Sequence, residues 1–197
     1  QALNKFPNEV TFPNTIANIY YQTKNYYQAE KYFMIALEVN PEMFSIHHTL
    51  AIMFEDMADT ARSDSLFKYM FIQNKNDAVG LNDYAYIISE RNNSSINELN
   101  YALELVERAI SMEPENAAFL DTIGWIYYKM GSYNKALEYV EKSLKINEDN
   151  PVILEHMGDI YHQLNESEQA LLIYKKVLEQ DANNKLLQDK INYINGR

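Results

Sequence analysis

Cysteine is absent from the 197-residue chain, which excludes a disulfide framework, a thiolate metal site and a cysteine nucleophile. Glycine and proline number five each, too few for the many turns of an all-β fold and in keeping with helices. Arginine occurs only at Arg62, Arg91, Arg108 and Arg197, and no basic run exceeds two residues. With 28 acidic against 17 basic side chains the formal charge is −11. A nucleic-acid partner is excluded on that account, because neutralising phosphates takes clustered Lys and Arg. No apolar stretch approaches the roughly 20 residues that cross a bilayer. Gln1 opens directly into a sequence with the look of structure, so no leader peptide is expected at this end. What the chain does have is 47% hydrophobic residues, enough to exclude wholesale disorder.

Those apolar residues recur with a period. Gly124-Trp125-Ile126-Tyr127 aligns with Gly158-Asp159-Ile160-Tyr161 at an offset of 34, and the same offset joins Leu120 to Leu154, Ala136 to Ala170 and Leu144 to Leu178. Upstream, Ala17, Tyr20, Ala29, Phe33 and Ala36 are followed 34 residues on by Ala51, Phe54, Ser63, Phe67 and Met70. A third unit, carrying Leu81, Ala85, Ile88, Ala102, Val106 and Ala109, fits only with five extra residues between its halves. The units are 10–43, 44–77, 78–116, 117–150 and 151–184, and each splits into two stretches with apolar residues at helical spacing. Small residues fall where two helices of a hairpin must approach: Ala17, Ala51, Ala85, Gly124 and Gly158 on the first, Ala29, Ser63, Ala102, Ala136 and Ala170 on the second. Gly131 and Asn165 stand where a first helix should stop. Pro41, Pro114 and Pro151 punctuate the joints.

A helix–turn–helix unit of 34 residues with these positions resembles the tetratricopeptide repeat (TPR). The resemblance covers 10–184; unit 117–150 is nearest the consensus and unit 44–77, with His47, Ser63 and Met70 in unusual places, is farthest from it. It implies an all-α, right-handed solenoid of antiparallel helix hairpins. Residues 1–9 read as the end of a truncated upstream repeat, so the chain is expected to continue in that direction. Residues 185–197 form a C-terminal capping helix with Leu187, Ile191 and Ile194 inward and Gln188, Asp189, Lys190 and Asn192 outward. More narrowly, Leu81-Asn82-Asp83-Tyr84-Ala85-Tyr86 and the lengthened third unit look like bacterial multi-repeat TPR proteins. Many of those sit at the outer membrane as lipoproteins and some act as adaptors for periplasmic proteases; the resemblance implies a periplasmic or outer-membrane-associated setting, with a cytoplasmic one left open.

In that family the first helices line a concave groove that holds ligands. Carried over by position, the groove residues are Asn14, Asn18 and Tyr21; His48, Ile52 and Glu55; Asn82, Tyr86 and Ser89; Asp121, Trp125 and Tyr128; and Glu155, Asp159 and His162. The plain alternative is a solvated inner face. TPR co-chaperones that grip a chaperone's C-terminal carboxylate use Lys, Asn and Arg at such positions. Here Asn14, Asn18, His48, Ile52, Asp121 and Trp125 replace them, so the groove is expected to be acidic and aromatic. A carboxylate ligand is excluded; a neutral, apolar or basic protein or peptide is not. Trp125, Tyr128 and Tyr86 are the expected apolar anchors, with Asp121, Glu155 and Asp159 selecting against acidic ligands.

Glu155, Asp159 and His162 share one stripe at i, i+4 and i+7 and could hold a metal, but one helix face supplies no closed shell. No nucleophile–base pair or phosphate loop occurs, so neither catalysis nor a cofactor is expected. The insertion 91–98 lies at a hairpin tip, where extra residues cost well under about 1 kcal/mol. The function expected is a non-enzymatic scaffold or adaptor for a partner segment. Two alternatives stand beside it: a regulatory repeat region of a larger enzyme, and self-association through the open N-terminal end.

Overall fold

The computed structural model describes residues 10–196, and among them it contains eleven α-helices and no strand. They are α1 Thr11–Gln22, α2 Tyr26–Val39, α3 Phe44–Asp56, α4 Thr60–Gln73, α5 Ala78–Glu90, α6 Ile96–Met112, α7 Ala117–Lys129, α8 Tyr133–Ile146, α9 Pro151–Gln163, α10 Ser167–Gln180 and α11 Lys185–Asn195. The truncated repeat expected over 1–9, and the self-association surface with it, lie outside the described residues.

Each hairpin is set by its turn. Lys24, Ala58, Gly131 and Asn165 stand in the left-handed region at φ 57°, 58°, 73° and 64°. The next amide reaches back to close the helix end: Asn25 to Tyr20, Asp59 to Phe54, Ser132 to Tyr127 and Glu166 to Tyr161. This is the Schellman closure, which satisfies carbonyls a helix end otherwise leaves open. Gly131 and Asn165 thus occupy the stop positions the sequence indicates. The third hairpin, lengthened by its insertion, is closed differently. The Ser94 hydroxyl donates to the Ile88 carbonyl at 2.6 Å, and Ser95 starts α6 with a capping box to Glu98. The first helices of the later units start on one device at a 34-residue interval, the side-chain oxygens of Asn116, Asn150 and Asn184 accepting from first-turn amides.

Contacts divide the chain into two compact units, Gln1–Gly80 and Leu81–Arg197. In the first, Ala17, Ala29, Phe33, Ala36, Ile46, Leu50, Met53 and Phe54 form one core. The degenerate repeat still packs. His47 is buried, with its ring 5.0 Å from Tyr69, and Met70 is buried as well. Ser63 fits where its counterparts are alanine, but its hydroxyl has no hydrogen-bond partner.

In the second unit the small residues do what their spacing suggests. A Cβ on Gly124 would meet Val140 Cγ2 at 2.7 Å, and one on Gly158 would meet the ring of Tyr174. α11 buries Leu187 and Ile194 against a core that includes Leu154, Tyr174 and Val177. The residues one repeat beyond Leu154, Gly158 and Tyr161 are Gln188, Asn192 and Asn195, all exposed. The surface that packs on a second helix elsewhere is therefore polar in α11. Lys190 departs from the expected outward face: it is partly buried and turned toward α9.

Candidate functional site: a cross-linked row of first helices

In the second unit the candidate residues lie on α5, α7, α9 and, beyond expectation, α11. Polar side chains on neighbouring first helices are joined to one another, across the 34-residue repeats at a spacing one greater than the repeat. Glu90 on α5 accepts from Trp125 Nε1 on α7 at 2.7 Å, 35 residues on. Asp121 on α7 accepts from His156 Nδ1 on α9 at 2.9 and 3.0 Å, again 35 residues on. Glu155 on α9 takes the Lys190 ammonium of α11 at 2.8 Å, also 35 residues on, and Asp159 takes it at 2.7 and 2.8 Å. The first unit has the same spacing in one place, where the Tyr21 hydroxyl donates to Asp56 at 2.8 Å. Across the 34-residue repeats this is a one-residue advance, whereas across the lengthened third unit Glu90 reaches Trp125, one turn before its own counterpart Lys129.

Aromatic rings follow the same row. Trp125 is sandwiched, parallel to Tyr128 with centroids 4.6 Å apart and to His156 at 4.1 Å. The Lys129 ammonium lies 5.3 Å from the indole centroid and 2.9 Å from Glu90. With both faces covered and its N–H used, Trp125 is only 8% exposed. This corrects the expectation of Trp125 as an open anchor: it braces the row from beneath. Asp121 is buried likewise and paired with His156. Tyr86 and Tyr128 are half-buried and keep part of each ring open. Tyr193, one repeat beyond Asp159, is 55% exposed and stands edge-on to His162 at 6.1 Å.

The electrostatics differ from a bare acidic groove. Burial pushes the Glu90 carboxyl up, yet hydrogen bonds from Trp125 and Lys129 outweigh it and hold it below its ordinary value. Burial alone would lower the Lys190 ammonium, but Asp159 and Glu155 raise it. The Tyr86 phenol is pushed up to about 12 by burial and by the nearby charges of Glu90, Asp121 and Glu155. Four carboxylates thus face two ammonium groups and one imidazole, and the residual negative potential is weaker than the sequence suggests.

The stripe Glu155–Asp159–His162 is not a ligand set: its carboxylates hold a lysine, and the buried Nδ1 of His162 has no hydrogen-bond partner. Among the described residues no group of three or more His, Asp or Glu side chains is arranged for a metal ion. Asn82 is buried; its amide donates to Asp83 at 3.2 Å while its oxygen has no partner. Ser89 is buried and donates to the Tyr86 carbonyl. In the first unit Asn18 donates to the Asn14 side chain at 3.0 Å, His48 stands edge-on to Phe67, and Ile52 and Glu55 are half-buried. Sequence reasoning missed Glu90, His156, Lys190 and Tyr193. The signal for His156 and Lys190 was present as side chains complementary to Asp121 and Glu155 and 35 residues from them; Glu90 lies across the lengthened unit, where that spacing does not carry over.

Comparison with known proteins agrees with this architecture. Residues 14–43 match the family "tetratricopeptide repeat", and residues 95–177 match "anaphase-promoting complex, cyclosome, subunit 3". The chain is 26% identical over 95 residues to the TPR repeat-containing protein PA4667 of Pseudomonas aeruginosa, a match over 48% of this chain and 15% of that protein's length. Among solved structures it is similar to TTC0263, a thermophilic TPR protein of Thermus thermophilus (TM-score 0.79, 20% identity, 94% of this chain and 98% of that one). It is also similar to a tetratricopeptide repeat protein of Parabacteroides merdae (TM-score 0.80, 17% identity, 98% and 73%), and to PilW, a type IV pilus biogenesis factor (TM-score 0.78, 18% identity, 95% and 86%). The chain carries a tetratricopeptide-repeat match at 14–43 and has the fold of the tetratricopeptide-repeat proteins. That fold generally mediates protein–protein interaction, and its scaffolds are generally not enzymes. No helix among the described residues is long and apolar enough to cross a membrane.

Proposed function

We propose that this chain is a non-enzymatic interaction scaffold whose row of first helices in the second unit receives a segment of a partner protein. The observation that carries this reading is the contrast within the row. Polar pairs and the Trp125 stack lock one helix to the next, while Tyr86, Tyr128 and Tyr193 keep ring surface open. Rigid aromatic side chains on a pre-organised surface give contact area at little entropic cost. The first unit's Asn14, Asn18, Tyr21, His48 and Glu55 belong to the same reading. Because most of the row's carboxylates already have partners, recognition is led by the tyrosines, and the preference against acidic ligands is mild.

A peptide-display selection on the whole chain tests this. Selected peptides should lose at least about tenfold in affinity on a Tyr86→Ala, Tyr128→Ala variant, matching about 1.4 kcal/mol of lost contact, and none on Leu172→Ala, an exposed position of α10. Equal binding to all three would move the site off the row. A second reading, that the repeats recruit partners for a larger protein, draws support from the length of the curated relative, of which the match spans 15%.

A further inference from the structure

Two levels of the row are built alike and closed to different degrees. At the level of α7 and α9, Asp121 holds His156 with side chains 10% and 8% exposed, under the cover of the Trp125 stack. At the level of α9 and α11, Glu155 and Asp159 hold Lys190 with side chains 24%, 14% and 27% exposed. The second level is more than a pair of neighbouring acids. The Tyr174 hydroxyl donates to Asp159 at 2.6 Å and fixes that carboxylate from α10. The Tyr174 ring centroid lies 5.6 Å from the ammonium, within cation–π range. Three carboxylate–oxygen contacts and a ring face form a receptor for a primary ammonium, and a flexible side chain of the chain itself fills it. α11 does not depend on that contact for its seat, since Leu187 and Ile194 are buried beneath it.

Resting on the proposed role of the row, we infer that Lys190 is an internal stand-in. Its ammonium occupies the place where a partner's lysine side chain binds between Glu155 and Asp159, and a partner must displace it. The partly exposed level exchanges, whereas the buried Asp121–His156 level does not. A site closed by its own lysine nine-tenths of the time weakens a ligand's apparent affinity about tenfold. The occupant is therefore a segment with an accessible lysine. Its aliphatic stem would run over Tyr128 and Tyr193, and Lys190 would swing into solvent.

The test uses the whole chain and n-butylammonium, which reproduces a lysine side chain's end, with binding followed by NMR of the His162 and Tyr193 ring protons. Lys190→Met keeps most of the stem and removes the charge. It should bind the amine saturably and at least about tenfold more tightly than the natural chain. Adding Asp159→Asn should abolish that binding, and tetramethylammonium, which cannot donate, should bind weakly. Lys190→Gln is carried in parallel, with helicity checked by circular dichroism, so that a folding defect in one variant does not decide the matter. No binding by either folded variant, or equal binding by variant and natural chain, overturns the inference. Peptide binding lost on Tyr86→Ala, Tyr128→Ala would still uphold the row in that case. Amine binding without any peptide binding would sink the row reading and leave the ammonium site standing.

Discussion

The buried pair Asp121–His156 gives the sharpest test of the cross-linked row. Both residues are less than a tenth exposed, and the imidazole Nδ1 lies within 3.0 Å of both carboxylate oxygens. His156→Phe keeps a ring to stack on Trp125 but removes the donor, leaving a carboxylate with its partner gone in a site from which water is largely excluded. Asp121→Leu leaves the imidazole N–H without its acceptor. Breaking a buried hydrogen-bonded pair from one side costs about 3–5 kcal/mol for fully charged partners and about 1–3 kcal/mol for a neutral donor left unsatisfied. Each single variant should therefore lose about 2–4 kcal/mol. The double variant exchanges the pair for apolar groups of similar volume, and such exchanges are often near neutral. Its cost should fall at least about 2 kcal/mol below the sum of the singles. Urea unfolding followed by fluorescence is the assay, because Trp125 is the chain's one tryptophan and stacks directly on residue 156. Singles that each cost under about 0.5 kcal/mol and simply add would refute the claim that this pair locks α7 to α9.

Other consequences can be read the same way. Ser63→Ala should stabilise the first unit by about 1 kcal/mol, since the hydroxyl is buried without a partner and alanine fills the equivalent place in the other repeats; thermal unfolding would show a raised midpoint. Gly158→Ala should destabilise by about 1–3 kcal/mol through overpacking, despite roughly 1 kcal/mol of better helix propensity. Its new methyl would strike a Tyr174 ring already tethered through its hydroxyl to Asp159, and a higher urea midpoint would contradict that packing. Glu90 is held below its ordinary 4.5, so its contribution is present above that pH and is lost as acid protonates it in the folded chain. Unfolding midpoints measured from pH 7 down to pH 3 should fall, and Glu90→Gln should flatten that fall; parallel curves would deny Glu90 this role.

Much of this was legible in the residues, and the unread part has a definite cause. The 34-residue recurrence of Ala, Gly and large apolar residues locates the hairpins because steric packing repeats with the structure. Gly124 and Gly158 meet Val140 and Tyr174 where the spacing implies. The last helix was legible too, with polar residues at Gln188, Asn192 and Asn195, one repeat beyond Leu154, Gly158 and Tyr161. The row's exposure was not. Trp125 carries an aromatic ring at a groove position, which by itself suggests a contact surface, but whether a ring is open depends on what the next helix lays over it. His156 supplies that cover, and it sits next to a groove position rather than at one. Helical periodicity in α11 alone points Lys190 outward. A long flexible stem lets an ammonium leave the face of its own Cα, and two carboxylates on α9 outweigh solvation there.

The central claim is that the first-helix row of the second unit is the partner-binding surface. A photo-crosslinking phenylalanine analogue placed singly at position 86, 128 or 172 of the whole chain, and activated in the source cell, tests it most directly. One shared partner should crosslink from 86 and 128 and be absent from 172, an exposed site on α10. Crosslinks from 172 with none from 86 or 128 would contradict it and place the interaction on the second helices.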